Sequence, residues 1–294
     1  MAIASLPVWV SQDDFNGKSF DVPQRLMTDQ GRLEINSAYQ QTLERLGLAS
    51  FAAFEALPGT TVRRIDSRAT SRVELESLVI YLKRHGRPHW RERITPWIRL
   101  GKRLFGAEPE WNAIWQFQRL GIPTVEPVAF GRRTGATFVA TRELVARCDL
   151  KQWVRDCLDR RHPSGAWQWD DFLQAAGHAQ RLATMVATMH RGGFHHQDLY
   201  LNHVLWVGDL EDGRPDLRLI DLGRVSRLGL LRRRWIWKDL AQLAYSAAGV
   251  PRSVQLRFLR AYLGRRLNPS DRRWLAWITW KADRIDQHTR KHRL

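Results

Sequence analysis

The stretch Gly193-Phe-His-His-Gln-Asp-Leu-Tyr-Leu-Asn-His-Val-Leu-Trp206, followed shortly by Leu219-Ile-Asp-Leu-Gly223, decides how this chain is read. Each piece presents one carboxylate, Asp198 and Asp221, from a strand or tight loop flanked by a short apolar run. Two carboxylates arranged in this way suit a metal–nucleotide site. One accepts the proton of an attacking hydroxyl, and the other holds the Mg²⁺ that bridges the phosphates.

Working outward, residues 169–191 form the longest regular segment, with Phe172, Ala176, Ala179, Leu182, Ala183, Val186 and Met189 on one helical stripe. Asp170 or Asp171 is the expected cap, and Gly192-Gly193 ends the helix. His190 falls on a helix face, where packing is its expected role. Another helix is read over 149–158, and three more over 235–248, 251–264 and 271–290, all after the carboxylates. The first part of the chain has a different period. Residues 61–65, 72–76 and 77–83 alternate as strands, the last with Leu78, Ile80 and Leu82 on one face and Lys83 on the other. A basic stretch at 84–105 reads as a loop and an amphipathic helix. Residues 109–121 then combine an early proline, apolar spacing and a closing glycine into a helix with Glu110 in its first turn. Residues 122–125, 127–131 and 137–145 read as extended. Residues 1 to about 40 carry no clean period, while 36–46 has helical character stopped at Gly47.

The chain has 294 residues, 44% of them hydrophobic, enough for one large domain or two lobes sharing a cleft. Its two cysteines, Cys148 and Cys157, make neither a disulfide framework nor a zinc site, and fit a reducing compartment. The start of the chain is a poor signal peptide, and no apolar run approaches the roughly 20 residues of a membrane span. The expectation is a soluble cytoplasmic protein. The net charge of +17 attracts anionic lipid, nucleic acid or phosphorylated substrates alike, and selects none of them by itself.

The order of these parts resembles the kinase superfamily, and within it the lipopolysaccharide kinase family (the Kdo/WaaP and InaA group), from roughly residue 60 to the C-terminus. The resemblance implies an α+β, protein-kinase-like two-lobed fold: an N-terminal extension at 1–45, a β-rich N-lobe at 46–145 and a helical C-lobe at 146–294. It implies ATP and Mg²⁺ as cofactors. Asp198 in His-Gln-Asp-Leu matches the catalytic-loop aspartate, and Asp221 in Ile-Asp-Leu-Gly the metal-binding aspartate. Lys83 in Tyr-Leu-Lys-Arg-His matches the phosphate-contacting lysine, and Glu110 in Glu-Trp-Asn-Ala its helix partner. The implied reaction is transfer of the γ-phosphate of ATP to a heptose or Kdo hydroxyl of the lipopolysaccharide inner core. That glycolipid is anchored at the cytoplasmic face of the inner membrane, so peripheral contact with an anionic membrane surface is expected, and nucleic acid is not an expected partner.

Departures from ordinary protein kinases are visible. Five places after Asp198, where asparagine is usual, stands His203, as in the family. Magnesium prefers oxygen ligands, so His203 is expected to touch a phosphate or orient Asp198, with Asn202 as an alternative oxygen ligand for the metal. Gln197 stands where an arginine commonly docks a phosphorylated segment, and Ser226 is the sole hydroxyl of the segment after Asp221, so phospho-switching is not expected. No glycine-rich loop lies within residues 66–72. Glu143 marks the segment where a kinase hinge would hold adenine by backbone groups. His196 is expected to brace the loop, and Asp239 to anchor its backbone from the following helix. Two alternatives stay open: a kinase-like phosphotransferase for another acceptor, and a nucleotide-binding pseudokinase scaffold, which the missing glycine loop favours.

Overall fold

A computed structural model describes residues 23–65, 67–86, 106–227 and 232–291. The basic loop and amphipathic helix read over 84–105 therefore lie outside the described residues, apart from the end of a strand at 84–85. The expected two-lobed α+β fold is present. A seven-stranded sheet forms the first lobe, and helices form most of the second.

The sheet is built from β1 (Arg25–Thr28), β2 (Leu33–Asn36), β3 (Thr60–Ile65), β4 (Arg68–Leu75), β5 (Leu78–His85), β6 (Pro127–Arg133) and β7 (Ala136–Arg142). Their order is β1-β2-β6-β7-β5-β4-β3, with every pairing antiparallel. Alternation assigns the two faces. Leu78, Ile80 and Leu82 of β5 are buried with Phe138, Phe51 and Phe54 under two short helices, α1 (Gln40–Arg45) and α2 (Phe51–Ala56). Lys83 faces the other way. It pairs in register with Val139, which packs with helix α3 (Glu108–Arg119).

Two sequence expectations change here. The segment before residue 40 is not simply irregular, because β1 and β2 belong to the main sheet. Strands of four residues are too short to show a period. They also brace α3: Trp111 Nε1 donates to Glu34 Oε2 at 2.8 Å, Arg25 donates to Asn112 Oδ1 at 2.7 Å, and its guanidinium lies over the rings of Trp111 and Trp115. Second, β4 begins at Arg68, paired directly with Ile65, so the strand read over 72–76 starts four residues earlier.

The chain enters the second lobe through β8 (Cys148–Asp149) and α4 (Leu150–Asp159), whose first turn is capped by Asp149 accepting from Gln152 N. Helix α5 (Trp169–Arg191) follows with Ala176, Leu182, Ala183, Val186 and Met189 of the expected stripe buried and Phe172 and Ala179 half-buried, but neither aspartate caps it. Gln168 occupies the cap position without a side-chain bond, and Asp171 pairs with Arg160 at 2.9 Å. After β9 (Phe194–His195) come β10 (Val204–Asp209) and β11 (Pro215–Leu219), which with β8 make a three-stranded sheet. A short β12 (Ser226–Arg227) pairs back with β9. Three helices close the lobe: α6 (Arg232–Ser246), α7 (Arg252–Leu263) and α8 (Arg272–Lys291). No described helix is long and apolar enough to cross a membrane.

Candidate active site

The site lies where the two lobes meet, and each of its side chains is fixed by a different element. From β5, Lys83 Nζ reaches Glu110 Oε1 of α3 at 2.5 Å. Proline at the start of α3 leaves no amide to satisfy, and the helix dipole favours an acid in that turn. Those facts explain the position of Glu110, and its ion pair with Lys83 is the additional feature that only contact between sheet and helix creates. Burial alone would lower the Lys83 pKa, but the charges of Glu110 and Asp221 outweigh it and raise the lysine above its ordinary value. Lys83 is an ammonium at every physiological pH.

Asp221 follows β11, whose end is fastened to the segment after α3. Thr124 Oγ1 donates to Leu219 O at 2.6 Å, and Leu219 N donates to Pro123 O at 3.0 Å. Ile220 N then donates to His203 O, and His196 Nε2 donates to Ile220 O at 3.1 Å, so His196 braces the turn. Asp221 itself adopts a left-handed conformation, φ +57°, which costs a non-glycine residue energy and aims the carboxylate at the cleft. Burial would raise its pKa, but Lys83, followed by His203, His196 and Arg224, holds it below the usual carboxylate value. Asp221 is ionised at neutral pH.

Asp198 sits on the loop between β9 and β10. One ligand atom each from Asp198, His203 and Asp221 lies within 4.8 Å of the others. His203 Nδ1 is 2.7 Å from the Asp198 backbone carbonyl, which can only accept, so Nδ1 carries the proton. Its Nε2 faces Asp221 Oδ2 at 3.7 Å. At this turn His203 lies with the two aspartates, while Asn202 beside it is exposed. Two oxygen donors from carboxylates, one of them kept ionised by its surroundings, are a fit for a hard divalent cation. An imidazole nitrogen is a poorer one.

The loop is held from below by one face of α6. Asp239 Oδ2 accepts from His196 N, and Asp239 Oδ1 from Gln197 N, both at 2.8 Å. Lys238 Nζ donates to Gln197 O at 2.6 Å and Gln242 Nε2 to the same oxygen at 3.2 Å. Leu199 N donates to Gln242 Oε1, and Leu201 N to Ser246 Oγ. Asp239 was legible as an anchor, whereas Lys238, Gln242 and Ser246 were not. A signal existed: Asp239, Gln242 and Ser246 place polar residues on the i, i+3, i+7 stripe that a helix normally gives to its core, and all three are buried. His190 is not mere packing either. Its Nδ1 bonds Tyr262 Oη at 2.8 Å and its Nε2 faces Asp239 Oδ2 at 3.2 Å, so it holds the anchor in turn. Gln197, which replaces the usual arginine, donates from Nε2 to Ser226 Oγ, the hydroxyl of the following segment. In the segment expected to act as a hinge, the Glu143 amide already donates to Val79 O, and its carboxylate forms a bidentate pair with Arg72 at 2.5 and 2.9 Å.

A lysine–glutamate pair across the cleft from a braced aspartate, with a second aspartate beside it, defines a kinase-type phosphotransferase. Comparison with known proteins agrees. The model of the "Lipopolysaccharide kinase (Kdo/WaaP) family" matches residues 52–262. "Lipopolysaccharide core heptose(I) kinase WaaP" of Pseudomonas aeruginosa is 33% identical over 258 residues, 84% of this chain and 93% of that protein. The Escherichia coli K12 protein of the same description is 29% identical over 257 residues, 83% of this chain and 94% of its own length. A solved structure described as "WaaP in complex with acyl carrier protein" superposes with TM-score 0.67 at 29% identity, covering 86% of this chain and 99% of that one. The chain belongs to the lipopolysaccharide kinase (Kdo/WaaP) family.

Proposed function

We propose that the chain transfers the γ-phosphate of ATP to a sugar hydroxyl of the lipopolysaccharide inner core, with the core heptose that names its relatives as the first acceptor to try. The observation that carries this reading is the gathering of Asp198, His203 and Asp221 opposite the Lys83–Glu110 pair. Asp198 is the base that receives the acceptor hydroxyl proton. Lys83 meets the phosphates, and Glu110 keeps its ammonium in place. A Mg²⁺ ion held by Asp221 would neutralise phosphate charge. His203, with its Nδ1 proton committed to the Asp198 carbonyl, fixes the loop and offers Nε2 toward the phosphates. Asn202 would reach the metal only after the turn rearranges. With no glycine-rich loop in the β3–β4 hairpin, donors elsewhere in the cleft must cover the phosphates.

The same reading places the enzyme at the cytoplasmic face of the inner membrane, where its +17 charge supports peripheral contact with anionic lipid. The solved relative is in complex with an acyl carrier protein, which makes such a carrier a partner to test for this chain too.

The test is γ-phosphate transfer from labelled Mg-ATP into lipopolysaccharide lacking core phosphate, run beside Asp198→Ala. Label in the glycan with wild type alone supports the reading. ATP binding without label sinks the acceptor and leaves another acceptor or a pseudokinase, and absence of ATP binding sinks the kinase chemistry.

A further inference from the structure

Over residues 68–72, β4 pairs with β3 on one side and with β5 on the other, so its backbone amides are taken up by the two ladders. Only Asp66 and Ser67 separate β3 from β4, and neither is a glycine. Donors for a phosphate on this part of the sheet must therefore be side chains, and register shows which ones are in place. Arg63 of β3 lies opposite Thr70 of β4, and Thr70 lies opposite Lys83 of β5. Residues directly opposite in antiparallel strands share a face, so Arg63 and Thr70 stand on the face from which Lys83 meets Glu110. One row nearer the turn, the same rule puts Ile65, Arg68 and His85 on that face. The reverse face carries Ser71, Val73, Ile80 and Leu82, all buried.

Arg63 and Arg68 are exposed, and neither forms an ion pair among the described residues. Arg72, the next arginine along the same face, is the contrast, since Glu143 holds it at 2.5 and 2.9 Å and Glu74 holds it as well. Thr70 is short, so Arg63 and Lys83 flank a shallow floor, with backbones about 10 Å apart across two ladders. The cations also act on one another. Burial, and after it the Arg63 charge, pull the Lys83 pKa down against Glu110 and Asp221. Burial, with Arg68 and Lys83, holds His85 down to about 4, so His85 is neutral and adds no charge to the face. Three cations on one face repel, and a polyanion lying between them relieves that repulsion.

We propose that Arg63 and Arg68 form a side-chain phosphate clamp, which holds the polyphosphate of the nucleotide against Lys83 in place of a backbone loop. The clamp rests on the phosphotransfer reading above and deepens it by naming the groups that grip the nucleotide. Arg63 closes on the phosphates from one side of Thr70 and Lys83 from the other, while Arg68 meets them one row nearer the turn. Each guanidinium offers two parallel N–H donors to a phosphate, a directed grip that the point charge of Lys83 does not give.

The experiment compares purified full-length wild type with Arg63→Gln, Arg68→Gln and Arg64→Gln. Arg64 pairs with Ala69 on the reverse face, so its variant controls for the loss of charge alone. Calorimetry gives the dissociation constant for Mg-ATP, displacement of Mg-ATP gives that for adenosine, and transfer is assayed on lipopolysaccharide core lacking phosphate. Arg63→Gln and Arg68→Gln should each weaken Mg-ATP about tenfold, the loss of one charge-assisted contact, and leave adenosine unchanged. The KM for ATP should rise in step, while the KM for the core stays as in wild type. Arg64→Gln should bind both ligands as wild type does, and matched denaturation midpoints show that the exposed substitutions keep the fold. An unchanged Mg-ATP constant in either clamp variant, an equal loss for adenosine, or an equal loss in Arg64→Gln overturns the clamp and leaves the kinase reading intact. Wild type that binds no Mg-ATP overturns the kinase reading and the clamp with it.

Discussion

Asp239 accepts the peptide N–H of Gln197 at 2.8 Å, from a helix 42 residues further along the chain. Gln197 has φ +64°, a left-handed conformation that a side chain bearing a Cβ adopts at a cost, and it precedes Asp198 directly. The bond to Asp239, with the grip of Lys238 and Gln242 on the Gln197 carbonyl, holds that conformation and so aims the base. Asp239→Asn replaces an acceptor oxygen by an amide that faces an N–H donor. Stability should fall by about 3 kcal/mol and kcat by ten- to a hundredfold, with little change in the KM for ATP. Urea unfolding beside steady-state kinetics measures both, and an intact kcat would show that the loop keeps its shape unaided.

Asp198 and Asp221 should separate cleanly. Asp198→Ala is expected to retain Mg-ATP binding and lose about 10²- to 10⁴-fold in transfer, the range for removing a general base. Asp221→Ala should instead lose the Mg²⁺ dependence of nucleotide binding. Calorimetric titration of ATP with and without Mg²⁺ distinguishes them, and normal turnover in Asp198→Ala would refute its assignment as base.

The Lys83–Glu110 pair makes a prediction in pH. Burial pulls the Lys83 pKa down, and Glu110 and Asp221 together raise it. In Glu110→Gln the largest opposing charge is gone, so the lysine should titrate at lower pH than in wild type. The KM for ATP should rise about tenfold at neutral pH and climb further in the alkaline range, where wild type stays flat. Parallel pH profiles for the two proteins would argue that Glu110 contributes packing alone.

Acid stability should trace to His178. It sits between Trp153 and Trp206, ring centroids 4.6 and 4.9 Å away, with neither ring nitrogen hydrogen-bonded among the described residues. Burial pushes its pKa down to about 4 from an ordinary 6.5. Between those values the unfolded chain binds more protons than the folded one, so stability falls as pH falls from 6.5 toward 4. The span corresponds to on the order of 3 kcal/mol. His85, lowered to about 4 by burial and by Arg68 and Lys83, adds a contribution of the same sign. His178→Phe should flatten the acid limb of denaturation midpoint against pH, and an unchanged slope would move the effect to other groups.

Much of this was legible locally. Alternation along β5 separated Lys83 from Leu78, Ile80 and Leu82, because side chains in a strand face opposite ways whatever the partner strands are. Proline and spacing announced α3 with Glu110 in its first turn, and short apolar runs announced the two aspartates. The kinase-like order of parts followed from those elements. Strands β1 and β2 escaped notice because four residues carry no readable period, and their place in the sheet depends on β6, some 90 residues later in the chain.

The sequence by itself determined which residues are candidates for the chemistry and the order in which they come, since period, turn residues and motif spacing are local properties of the chain. Only the tertiary structure decided which of them meet: Lys83 with Glu110, Asp239 with Gln197, Arg224 with Asp198, and His203 rather than Asn202 facing Asp221. Hydrogen bonds and ion pairs act over about 3 Å. Contacts across such sequence separations exist only once packing has brought two elements together, and no local pattern records that distance.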